Sequence, residues 1–150
     1  MKKGNFEFSE SADCWISKHS LNDKNVHIEI YTSSYKGNEI NWIDVSDFIK
    51  EIIDSGKDLE NLVNTSKRLL LDFIKHVPFG IQDLKKYRFE LVSVYYSGKS
   101  EGLIFSYPTH NYSLLLKLFS DQMVESEDPY GNYLVDIENL LIKGVRREQI

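Results

Sequence analysis

Four histidines, one cysteine and 23 carboxylates are the groups through which this 150-residue chain could do acid–base, nucleophilic or metal chemistry, so their spacing decides what is available. A serine-hydrolase elbow needs Gly-x-Ser-x-Gly on one sharp turn, and a zinc protease needs His-Glu-x-x-His on one helix face; neither occurs. His27-Ile28-Glu29 matches the His-x-Glu of zinc deaminases, but that metal site is completed by Pro-Cys-x-x-Cys and Cys14 is the sole cysteine. The pair reads instead as exposed residues on one face of a strand. Gly98-Lys99-Ser100 ends like a P-loop, yet the first glycine of that motif is missing and a strand, not a helix, follows. His19, His76 and His110 stand apart in sequence. An enzyme here would need a site assembled only by folding, for example around His110, Asp121 and Cys14. Spacing thus implies neither a cofactor nor a bound metal.

The acidic residues carry the clearer pattern. Asp44, Asp47, Glu51, Asp54 and Asp58 step by three and four, which on a helix gathers most of them into one carboxylate stripe. A second cluster runs through Asp121, Glu125, Glu127, Asp128, Asp136 and Glu138 with no Lys or Arg between its ends. It lacks the alternating oxygens and central glycine of an EF-hand, so calcium is not its expected ligand. Uncompensated like charge is tolerated where a basic partner meets it. The expected contact residues are Asp47, Glu51, Asp54, Glu125, Glu127 and Asp128, with Tyr130 as an aromatic anchor. The net charge of −5 argues against nucleic acid, whose phosphates are met by Lys and Arg, and for a basic protein partner.

Two consecutive amphipathic helices between Ile43 and Val77 would hold the first stripe. The first is expected to be capped by Asp44 or Ser46, to bury Phe48, Ile49, Ile52 and Ile53, and to stop at Gly56. In the second, capped by Asp58, the apolar residues Leu59, Leu62, Val63, Leu69, Leu70, Phe73, Ile74 and Val77 share a face. Strands surround this pair. Phe6 and Phe8 alternate with polar residues; Ala12 to His19 and Val26 to Ser33 flank a polar loop; Tyr87 to Tyr96 and Gly102 to Tyr107 are expected to pair across a turn at Ser97 to Glu101. Tyr112 to Phe119 reads as a buried strand, and Tyr133 to Glu138 with Leu141 to Arg147 as a closing hairpin. The expected fold is α+β, one domain over residues 1–150, an antiparallel sheet of hairpins packed against two consecutive helices. With one cysteine, no apolar run of signal-peptide length after Met1-Lys2-Lys3 and none of membrane-spanning length, the expected compartment is the cytoplasm, without a membrane partner.

Glu127-Asp128-Pro129-Tyr130-Gly131, followed by the closing hairpin through Gly144-Val145, resembles the Asp-Pro-Glu-His-Gly segment that precedes the last hairpin of some small bacterial domains. The likeness covers the final quarter of the chain, and Tyr130 and Gly131 stand where that pattern has Glu and His. It implies an immunity protein of a polymorphic or contact-dependent toxin system, a non-enzymatic inhibitor acting on a toxin domain such as a nuclease. Its alternatives are a small enzyme with a folded-in site, or an adaptor that dimerises through a strand edge; monomer and homodimer both remain open.

Overall fold

Alternation writes the sheet into the chain. Val26, Ile28 and Ile30 are buried, while His27, Glu29 and Tyr31 on the other face are only half-buried. The computed structural model describes residues 2–21, 24–31, 39–75, 87–101, 105–120 and 131–149, and in them the chain is a mixed α/β fold of one sheet and two helices. The strands are β1 (Lys2–Lys3), β2 (Phe6–Ser9), β3 (Cys14–Leu21), β4 (Lys24–Tyr31), β5 (Tyr87–Glu101), β6 (Pro108–Ser120), β7 (Gly131–Glu138) and β8 (Leu141–Gln149). They lie side by side in chain order. Neighbours are antiparallel except at the centre, where β4 and β5 run parallel with Ile28 opposite Val94. That junction amends the antiparallel expectation. Parallel neighbours need a crossover, and the chain between them carries both helices.

Helix α1 (Trp42–Glu51) begins one residue earlier than its apolar period suggests. Its cap is Asn41, whose side-chain oxygen accepts from the backbone N–H of Ile43 and Asp44 at 3.1 and 3.2 Å, rather than Asp44 or Ser46. Trp42 therefore sits inside the first turn, edge-on to Trp15 and Phe6 at 5.1 and 5.6 Å between ring centres. Val45, Phe48, Ile52 and Ile53 are buried, and Ile49 only partly. A 3-10 turn at Ile53–Ser55 leads to Gly56, whose φ of +66° only glycine adopts without strain. Gly56 occupies the N-cap of α2 (Lys57–Ile74), so Asp58 lies inside the first turn, where a carboxylate suits the helix dipole. Leu59, Leu62, Val63, Leu70 and Ile74 face the sheet, joined by Ser66, which returns its hydroxyl to the Leu62 carbonyl at 2.8 Å. Leu69 is exposed instead, and Val77 lies outside the described residues.

The largest departure is in β5. Ser97 to Glu101 is not a turn: the strand runs on to Glu101, and Gly98, at φ +105°, absorbs a bulge between Tyr96 and Gly98. Its antiparallel partner is β6, which begins at Pro108 opposite Glu101, a strand-end position that proline tolerates. Phe105 to Tyr107 form a bend between the two. β5 and β6 line the core through Phe89, Val94, Tyr96, Tyr112, Leu114, Leu116 and Leu118. No helix among the described residues is long and apolar enough to cross a membrane.

Candidate functional site

The end of α1 meets β5, β6 and the β7–β8 turn around one buried imidazole. Phe48 projects from α1 into the sheet and stacks on Tyr96 of β5, with ring centres 4.2 Å apart and planes 11° from parallel. Its remaining sides are taken by Tyr112 at 4.9 Å and His110 at 5.7 Å. This apolar wrapping leaves His110 1% exposed, so its ring nitrogens must find partners within the protein. Nδ1 lies 2.8 Å from the Tyr96 hydroxyl, and Nε2 lies 2.8 Å from Oε2 of Glu51. Glu51 is one full α1 turn beyond Asp47 and its side chain is 58% exposed.

A carboxylate only accepts, so Nε2 carries the proton shared with Glu51. In the neutral ring Nδ1 then accepts from Tyr96. In the imidazolium both ring N–H groups donate, and the Tyr96 hydroxyl turns to the backbone carbonyl of Asp44, 3.4 Å away. Both protonation states are thus fully bonded. A nucleophilic triad places its hydroxyl at the substrate and buries its acid. Here the order is reversed, with Tyr96 1% exposed and the carboxylate in solvent. The arrangement suits a held carboxylate better than an activated hydroxyl.

The β7–β8 turn is tied to the same strand. Asn139 sits at φ +54°, a conformation asparagine tolerates, and exchanges backbone and side-chain bonds with His110: its N–H donates to the His110 carbonyl at 2.8 Å, and its Oδ1 accepts from the His110 N–H at 3.0 Å. Its carbonyl also accepts from the Tyr112 hydroxyl. This clamp presents Leu140 and Leu141, 39% and 42% exposed, beside Tyr107, 52% exposed. With Phe105, Ile52, Asn139 and Glu51 they enclose a shallow depression of about 440 Å³.

The expected contact residues are only partly gathered there. Glu51 lines the depression, and Asp47 is half-buried on the same helical stripe. Asp54 belongs to the 3-10 turn and lines a different cleft with Ser20, Leu21 and Lys57. Glu125, Glu127, Asp128 and Tyr130 lie outside the described residues, as does Asp121. Two members of the second acidic cluster are withdrawn from any acidic surface: Asp136 pairs with Arg146 at 3.0 Å, and Glu138 is fully buried and accepts from the Thr109 hydroxyl at 2.7 Å. Cys14 is three strands from β6 and on the opposite face, bonded to Tyr31, so it does not join His110. Among the described residues no three His, Cys, Asp or Glu side chains converge as a metal site would require. Tyr96, Tyr107 and Leu140 were not legible as site residues. Their grouping depends on the β5 bulge and the Asn139 turn, contacts between segments far apart in sequence.

The sheet face away from the helices holds a second titratable group. Burial pushes the Glu29 carboxyl up against the opposing hydrogen bond from Ser93 and the charge of His27. Burial, with Glu29 nearby, likewise pushes Tyr31 up to about 12 and raises Tyr95, and these two rings meet edge-on at 5.7 Å. No protein-family model, curated protein or solved structure matches the chain.

Proposed function

We propose that the chain is a non-enzymatic protein-binding module for a basic partner, and that it serves as an immunity protein neutralising a toxin domain, such as a nuclease, in the bacterial cytoplasm. The observation that carries this reading is the combination at the end of α1: an exposed carboxylate held by a buried histidine, set against three exposed large apolar side chains. Buried or half-buried apolar anchors ringed by charge are what protein interfaces use for residence time and for encounter, respectively. No described cation lies within ion-pairing distance of Asp47, so this carboxylate of α1 remains available to a partner's lysines and arginines. A nuclease must carry such residues to hold its phosphate substrate. Helix α1, packed on the sheet through Phe48 against Tyr96 and Tyr112, carries this surface.

Co-expression with the toxin domain encoded beside its gene tests the reading. The protein is expected to protect cells and to form a complex that survives gel filtration. Absence of both protection and complex would remove the immunity function.

A further inference from the structure

Resting on the binding-module reading, we propose that the depression beside Glu51 is a pocket for one arginine side chain of the partner. Three features point to a cation of that shape. First, Glu51 is the last residue of α1, where the helix dipole already concentrates partial negative charge. A carboxylate is disfavoured there unless a donor or cation answers it; His110 answers one oxygen, and Lys50, one residue back, points about 100° around the helix and forms no ion pair with it among the described residues. Second, His110 engages Oε2 and leaves Oε1 without a hydrogen bond to any described residue. This bond restrains the carboxylate, so part of the entropy of orienting a flexible glutamate is spent before the partner arrives. Third, the lining is largely apolar and partly aromatic: Phe105 and Tyr107, with ring centres 5.3 Å apart and planes 35° from parallel, line the depression together with Leu140 and Leu141. A guanidinium is planar, weakly hydrated and stacks on aromatic faces, while its three methylenes cover apolar surface. A lysine ammonium would lose more hydration and gain no stacking.

The pocket can be probed without the partner. N-acetyl-arginine-N-methylamide is titrated into the isotope-labelled full chain and followed by NMR, beside the equally capped lysine and citrulline. The expected result is a saturable shift of the Glu51, Tyr107, Leu140 and Leu141 signals with capped arginine, weaker binding of capped lysine and none of citrulline, which has the shape without the charge. Glu51→Gln, whose exposed side chain makes it safe for folding, should weaken capped arginine about tenfold, the loss of one charged hydrogen bond. The pocket is overturned if capped arginine gives no saturable shift, if citrulline matches it, or if Glu51→Gln binds it unchanged. These outcomes are separable from the wider reading: a toxin domain neutralised by a chain that ignores capped arginine refutes the pocket alone, whereas capped arginine bound by a chain that protects against nothing refutes the immunity function and leaves the pocket.

Discussion

His110 illustrates how little of a buried polar group's worth lies in any one contact. Its two ring nitrogens are each 2.8 Å from a partner, and its exposure is 1%, so water cannot replace either bond. Removing a partner from such a group costs the desolvation of what is left behind, more than the net value of the bond. Tyr96→Phe keeps the stack on Phe48 but strands Nδ1 of His110. It is expected to destabilise the fold by about 1–3 kcal/mol in urea unfolding, with the m-value unchanged. Glu51→Gln should cost far less, because the amide oxygen can still accept from Nε2. A loss as large as that of Tyr96→Phe would mean that Glu51 is structural rather than available to a partner.

At the scale of elements, period was legible where one segment decides its own conformation, although the Asn41 cap, the Gly56 start of α2 and the exposure of Leu69 were not. The α2 stripe, the alternation of Val26, Ile28 and Ile30, and the β7–β8 hairpin each follow from period and flanking residues alone. Ser97-Gly98-Lys99-Ser100 was not, because a bulge and a turn ask for the same thing, a residue at positive φ amid polar neighbours; only the long pairing of β5 with β6 decides between them. The parallel junction of β4 with β5 was hidden for a similar reason, since strand direction depends on where the intervening helices return the chain. The site inherits this: Glu51 was recognisable from its stripe, whereas its histidine and its apolar neighbours arrive through those non-local pairings. Helix α1 is held at both ends, by the Asn41 cap and by Phe48. Asn41→Ala should cost about 1 kcal/mol, whereas Phe48→Ala, which opens a cavity against Tyr96, Tyr112 and His110, should cost about 3–5 kcal/mol. Chemical denaturation would rank them, and equal losses would deny Phe48 its central place.

For the whole molecule, the two faces of the sheet divide the labour. The helix face carries the core and the candidate binding edge; the other face stores desolvated acids. Glu29 has its carboxyl raised in the folded protein, so its contribution is present below the ordinary carboxylate range and is lost as pH rises through the raised value. Glu29→Gln is therefore expected to raise the melting temperature at neutral pH and to have no such effect in acid. Tyr31 obeys the same sign at the other end. The unfolded chain releases its phenol proton near 10 and the folded one near 12, so stability should fall across that window, and Tyr31→Phe should flatten the fall. Melting curves across pH check both. The central claim, that the end of α1 meets a basic partner by charge, is tested most directly by the association rate of any toxin domain found encoded beside the gene with wild type, Asp47→Asn/Glu51→Gln and Asp54→Asn as salt is raised. Steering is screened beyond a Debye length of about 8 Å at physiological ionic strength and about 3 Å at 1 M. The double variant should associate several-fold more slowly at low salt, Asp54→Asn less so because its side chain lines a separate cleft, and the differences should vanish in high salt. An association rate that is the same for wild type and the double variant at low salt would contradict the account.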